Sequence, residues 1–276
     1  MNWVRHIVLP LIATVFWGFA FVPQKIAAAS LDAISLNMVV NWLAFFLLLF
    51  CTLLFDVFSD KAKKRNGEPL PKREERAAEW KTAFKGGFVC GTPMAIAVIL
   101  QQQGIALSGA GKSGFLTALY VVFVPVFSAF LGRKAPKRVW IAVLLAIIGL
   151  YFLCLIPGTD LRIQTGDWFL LACAVAFSVQ ILAIHHFGQG GNSLRLSCTQ
   201  VFFAALICTV GTLLFSDFSF AQIWETKATL LSVLYVAFFS RGLAYTLQFI
   251  AQKGANPTLI SLIMSLESVF AVLSAA

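Results

Sequence analysis

The sequence predicts an all-α polytopic membrane protein, and three observations lead there. Hydrophobic residues fill 59% of the 276 positions and charged residues only 12%, about half the charged share of an ordinary soluble domain. The apolar residues are gathered into runs close to the roughly twenty residues that cross a bilayer. Lys and Arg collect between alternate runs, the pattern that orients membrane helices.

Nine spans are expected: 7–28, 35–57, 84–106, 113–132, 139–156, 168–187, 195–215, 229–251 and 257–276. The first follows Arg5 and ends in AAAS, a sequence resembling a signal-peptidase site. Its apolar run is longer than a signal h-region and more spans follow, so it is read as an anchor. The second is followed by the longest loop, 58–81, with KAKKRNGEPLPKREER. Glu68, Glu74, Glu75 and Glu79 dilute its positive field, so it is read as a solvated loop that sets topology, not as a nucleic-acid site.

The third span carries Gly91-Thr92-Pro93 and closes on Gln101-Gln102-Gln103. The fourth carries Gly114, Ala118 and Tyr120 and is interrupted by Pro125. Pro93 and Pro125 each remove a helix hydrogen bond and are hinge candidates. The fifth follows RKAPKR, and the sixth ends on His185-His186. The seventh is apolar. The eighth carries Arg241 and the ninth Glu267. With the N-terminus in the cytoplasm, sixteen Lys and Arg residues face inward and three (Lys112, Arg162 and Lys227) face outward. Lys25 and Arg241 fall within spans.

All six cysteines lie in apolar runs without a CxxC pair. They predict buried thiols, with neither a disulfide framework nor a zinc site. No metal or cofactor is expected.

Two hairpins, Gln101 to Phe130 and Leu247 to Val272, align with Gly111 opposite Gly254. The match gives five identities in twenty-one positions. The charge count puts the first turn outside and the second inside, which relates the two by inversion. Inverted repeats are a recurrent design of secondary transporters, with the site near midplane between the halves. The expected units are 1–156 and 157–276. The second copy stops at Ala276, so a tenth helix is expected to belong to the intact protein.

Polar groups inside a bilayer are costly and face the bundle interior or water. The three glutamines advance about 100° each, so they do not all face lipid. Gln102 and Gln103 are the preferred cavity residues, with interhelical hydrogen bonding as the alternative role. Trp17, Phe21, Gln24 and Lys25 share one helix face; Trp17 is a cavity candidate, and Lys25 reads as snorkelling to the surface. Tyr120 is a further cavity candidate. Arg241, Tyr245, Gln248 and Gln252 form one polar stripe. Arg241 and Glu267 lie about 15 Å deep on adjacent helices, which suggests an ion pair that binds a charged substrate, relays a proton or locks the fold. Adjacent helical residues point about 100° apart, so His185 and His186 read as interfacial or capping residues, with pH sensing as the other option.

FWGFAFVPQK (Phe16 to Lys25), LQQQGIALSGAGKSGFLTALYVVFVP and AYTLQFIAQKGANPTLISLIMSLESVF (Ala244 to Phe270) resemble the drug/metabolite transporter superfamily, in particular its EamA-type members. The resemblance implies ten helices in two inverted halves, a central cavity, export or exchange of small metabolites, and a place in a bacterial cytoplasmic membrane. Three positions depart from the family pattern. Asn41 stands where an Arg is common, Arg241 where a neutral residue is usual, and Ser268 where a Pro commonly follows the Glu.

The expected function is therefore a secondary transporter of small metabolites or amphiphilic compounds, an exporter working by alternating access. Its expected partners are a small-molecule substrate and the bilayer, with protons as coupling ion through Glu267 and the histidines. No Walker-type loop is present for ATP hydrolysis. An intramembrane lipid-modifying enzyme is the alternative from another class, but HExxH and GxSxG motifs are absent. A non-transporting membrane scaffold is a further alternative, and it would have no use for a pseudo-symmetric cavity.

Overall fold

The computed structural model describes residues 3–132, 137–154 and 163–275. Nine long helices follow in order among them, with a short 3-10 helix, Phe220–Trp224, between the seventh and eighth: α1 (Val4–Ala27), α2 (Ala33–Arg65), α3 (Arg73–Leu107), α4 (Ala110–Phe130), α5 (Lys137–Cys154), α6 (Thr165–Phe187), α7 (Ser193–Phe215), α8 (Lys227–Gln252) and α9 (Pro257–Ala275). Eight are long and apolar enough to cross a membrane; α5 has a shorter apolar stretch, Val139–Gly149. No strand occurs among the described residues. Arg133, Lys134 and Arg162 of the charge count, and the end of the fifth expected span, lie outside the described residues.

Side chains start the helices where the chain must turn. Asp32 caps α2 by accepting from the Ile34 and Ser35 amides, and Asn192 caps α7 by accepting from Leu194 and Arg195. Burial pushes the Asp32 carboxyl up, but hydrogen bonds from Ser216, Ser35 and Ile34 outweigh it and hold the group below the ordinary carboxylate range. Asn256 caps α9, with Pro257 in the first turn, where its missing N–H costs nothing.

The longest expected loop proves to be mostly helix. α2 runs 33 residues and α3 runs 35, about 50 Å each against a hydrocarbon core of about 30 Å. Lys, Arg, Glu and Ala are good helix formers, so both helices continue past the membrane boundary. Glu75 accepts from the Lys72 amide to start α3, and Arg76 pairs with Asp60 across the hairpin. The turn itself sits around Gly67, whose φ of +71° suits glycine.

Neither proline marks a break. α3 passes through Pro93 without interruption. α4 is interrupted at Leu119, between Ala110–Ala118 and Tyr120–Phe130, six residues before Pro125. α9 is interrupted at Ser265-Leu266, between Pro257–Met264 and Glu267–Ala275. No proline lies at that second break. Instead the Ser261, Ser265 and Ser268 hydroxyls donate to the carbonyls of Thr258, Leu262 and Ser265 at 2.8–2.9 Å, a type of back-bonding that bends helices. α8 is α-helical at both ends, with a π-helical turn over Val236–Ala244 between them.

The Gly111–Gly254 alignment does not hold as a structural equivalence. Gly254 sits in a turn with φ +81°, whereas Gly111 lies within the first turn of α4. The two breaks correspond instead when Leu119 is set against Leu266, which puts Tyr120 opposite Glu267. The α1–α2 and α6–α7 connections are also alike: each has five residues and ends on an Asx N-cap, Asp32 or Asn192.

α3 packs backbone-close on α7. A Cβ on Gly87 would come within 2.3 Å of the Thr199 hydroxyl, and one on Gly91 within 2.5 Å of the Gln200 carbonyl. Small residues that let backbones meet drive helix association in lipid, where apolar burial does not. On the other side of the bundle, α1 meets the second segment of α9 at Gly18, where a Cβ would stand 2.3 Å from Phe270 Cβ and 2.6 Å from the Glu267 carbonyl.

Candidate functional site

Within the bundle, α1, α3, α4, α6, α8 and α9 surround a buried cavity. The cavity, with the solvent space at its mouth, has an empty volume of about 410 Å³.

Six sequence candidates converge here: Trp17, Tyr120, Arg241, Tyr245, Gln248 and Glu267. Trp17 donates from Nε1 to the Ser240 carbonyl (3.2 Å) and packs edge-on to Tyr245, with ring centroids 5.0 Å apart. The π-helical turn of α8 places Ser240 and Arg241 side by side on the cavity wall. Such turns occur frequently at functional sites.

The glutamine triplet divides differently from expectation. Gln101 lines the cavity. Gln102 is fully buried and donates to the Gln24 carbonyl at 2.9 Å, joining α3 to α1. Gln103 is half-buried and does not line the cavity. A neutral hydrogen bond contributes about 0.5–1.5 kcal/mol, a factor of about 2–10 in affinity. Gln101→Ala is therefore expected to raise KM for transport severalfold, whereas Gln103→Ala changes it less than about twofold; solute counterflow in proteoliposomes measures both.

Arg241 and Glu267 both face the cavity, yet they form no ion pair: no nitrogen–oxygen distance between them falls within 4.0 Å. The guanidinium is turned to other partners. Arg241 Nη2 donates to Asn37 Oδ1 at 2.9 Å, Nη1 approaches the Tyr245 hydroxyl at 3.5 Å, and Cζ lies 5.6 Å from the Tyr245 ring centroid. Glu267 opens the second segment of α9, where the amide ends of a helix favour a carboxylate. Arg241 Nε is buried without a hydrogen-bond partner among the described residues, and the Tyr120 hydroxyl faces the Glu267 carboxyl. An unmatched buried polar atom is costly, so Arg241 Nε is left able to meet one further acceptor.

Sequence reasoning passed over Gln180, Gln200, Phe177 and Asn37. Gln180 Nε2 reaches Gln200 Oε1 at 3.1 Å and Gln248 Oε1 at 3.4 Å, knitting α6, α7 and α8 together at the cavity wall. An uncharged polar residue deep in an apolar run was the available signal for Gln180, as it was for the triplet. Phe177 and Asn37 carried no such signal.

Other expectations resolve away from the cavity. Lys25 does not snorkel; its ammonium donates to the carbonyls of Ile105, Ala106 and Ser108 at 2.8–3.1 Å, capping α3 where a helix end favours a cation. His185 and Gln189 interact near the α6–α7 turn, and His186 is exposed with its ring edge-on to Phe187. Ion pairs tie the bundle at both ends. Lys112 of α4 pairs with Asp167 of α6 at 2.7 Å. At the opposite end Arg195 of α7 holds Asp56 of α2 through two bonds of 2.8–2.9 Å and also pairs with Glu79 of α3. Among the described residues no three His, Cys, Asp or Glu side chains converge as a metal site.

Comparison with known proteins adds three findings. The model of the EamA-like transporter family matches residues 5–155 and 164–276. An uncharacterized transporter of Archaeoglobus fulgidus is 31% identical over 189 residues, 68% of this chain and 59% of the relative, so the match spans less than two thirds of that protein's length. A solved crystal structure superposes with a TM-score of 0.67 at 16% identity, covering 97% of this chain and 86% of the other. That likeness establishes the fold alone.

Proposed function

This chain belongs to the EamA-like transporter family, and on that premise we propose that it is a secondary transporter that exports a small dipolar metabolite by alternating access. It is an integral membrane protein of apolar helices with a small-molecule substrate. The observation that carries the finer reading is a guanidinium and a carboxyl, Arg241 and Glu267, facing one cavity without meeting. A zwitterion would satisfy both, its carboxylate on Arg241 and its ammonium on Glu267. Trp17, Phe177 and Tyr245 would hold an apolar body. Tyr120, Gln101 and Gln248 would complete the polar wall.

Alternating access is supported by helices α4 and α9, each broken beside a residue that lines the cavity. Discontinuous helices of this kind form the substrate sites of many transporters. Two family matches, two alike five-residue connections and two corresponding breaks support a division into halves at about 156, related by inversion. The distribution of Lys and Arg favours a cytoplasmic N-terminus and a bacterial cytoplasmic membrane is the expected location. Export rests on the family resemblance. Glu267 is the group through which a coupling proton would pass.

The test is counterflow in proteoliposomes of the full chain. The solutes are leucine and phenylalanine, their deaminated analogues (4-methylpentanoate and 3-phenylpropanoate) and their decarboxylated analogues (3-methylbutylamine and phenethylamine). At least one zwitterion is expected to exchange, with its single-charge analogues at least about tenfold slower, the loss of one charge-assisted hydrogen bond. Analogues that exchange as fast as the zwitterion, or no exchange by either zwitterion, would sink the dipolar reading.

A further inference from the structure

Asn37 does not line the cavity. It lies behind Arg241, 2% exposed, and both ends of its carboxamide are committed. Nδ2 donates to the Ala33 carbonyl at 2.8 Å and to the Val98 carbonyl at 3.0 Å. Two carbonyls can only be met by the NH₂ end, so the amide orientation follows from the network. Oδ1 is left facing Arg241 Nη2 at 2.9 Å.

Intramembrane arginines usually pair with a carboxylate or with backbone carbonyls. Among the described residues no acidic side chain comes within 4.0 Å of Arg241. Its fixed partner is a neutral oxygen, which orients the guanidinium without cancelling its charge. Arg241 Nε still lacks a partner.

We propose that Asn37 is a positioning residue that sets the charge preference of the site, holding Arg241 in the cavity wall as an uncompensated cation that receives the anionic end of the substrate. This rests on the dipolar-substrate reading above. It makes Asn37 part of the recognition of carboxylates although it touches no substrate.

The experiment compares wild type, Asn37→Ala, Arg241→Gln and the double variant, each as the full chain in proteoliposomes. Counterflow is measured with leucine, 4-methylpentanoate and 3-methylbutylamine. Asn37→Ala is expected to raise KM for leucine and 4-methylpentanoate about tenfold, leave kcat within about twofold and leave 3-methylbutylamine unaffected. In the Arg241→Gln background it should add nothing to the ratio between the probes. An equal loss on all three probes, or a ratio shift that persists without Arg241, overturns the proposal.

Thermal unfolding of the same four proteins reads the contact whatever the solute. The shift in the double variant should fall short of the sum of the single shifts by at least about 3 °C. Additive shifts overturn the Asn37–Arg241 contact. A wild type indifferent to the three probes, with non-additive unfolding, overturns the charge role and the dipolar reading while leaving the contact standing. Should Asn37→Ala not fold, Asn37→Ser, which keeps a small acceptor, takes its place with the same expected direction and a smaller KM change.

Discussion

Arg241→Gln is expected to lower kcat/KM for leucine or phenylalanine counterflow by about a hundredfold and to leave the decarboxylated analogue of the same solute nearly unchanged. Glu267→Gln is expected to do the reverse, sparing the deaminated analogue. The size follows from the site: each charge-assisted hydrogen bond contributes about 1.5–3 kcal/mol, and the substrate charge left without a partner adds its own burial cost. The crossed pattern separates recognition from folding, because Arg241 and Glu267 are both almost fully buried and loss of folding would depress every solute alike. The two side chains do not pair with each other, so removing one does not release the other. The Glu267 variant also addresses coupling. If this carboxyl carries the proton, transport that varies with pH in the wild type becomes flat in Glu267→Gln. A pH dependence retained in full assigns coupling elsewhere.

The second large effect is structural. Gly18→Val is expected to lower the unfolding midpoint by about 2–12 °C and to abolish most counterflow in what remains folded. A Cβ at Gly18 would stand 2.3 Å from Phe270 Cβ and 2.6 Å from the Glu267 carbonyl. One contact is the root of a side chain and the other is backbone, so neither can swing aside. Overpacking of this kind costs about 1–3 kcal/mol, and 1 kcal/mol corresponds to about 2–4 °C in a chain of this size. The clash also pushes on the residue that presents the acidic wall of the cavity. Differential scanning fluorimetry and counterflow on the same preparation check both parts. An unchanged midpoint would mean that α1 and α9 do not approach as closely as described.

The spans were legible because apolar runs and charged connections alternate so sharply. The true length of α2 and α3 was not, because Lys, Arg and Glu mark the end of a membrane core but do not end a helix. Trp17, Tyr120, Tyr245 and Gln248 could be placed in the interior because polar and amphipathic groups in lipid need a reason to be there. Which glutamine of the triplet reaches the cavity could not be read. Neighbours differ by a rotation of about 100°, and only the packing of α3 against α6 and α7 fixes that rotation. The proposed Arg241–Glu267 pair failed for a related reason. Counting residues gives depth along a helix but not direction around it. A π-helical turn redirects Arg241 toward Asn37, and the break at Ser265-Leu266 resets α9 just before Glu267. Neither irregularity exists on a straight helical wheel. Asn37, four residues into α2, looked like an ordinary polar residue near a helix end; its role depends on its contact with α8.

The glycines of α3 also divide the labour of the molecule. Where the α3 backbone touches Thr199 and Gln200 within one turn, a slide of even an ångström would drive main chain into main chain. The α3–α7 seam therefore behaves as a stator. α1 meets the second segment of α9 just as closely at Gly18, so a rearrangement that opened the cavity would have to carry those two segments together as a second rigid block, not slide one along the other.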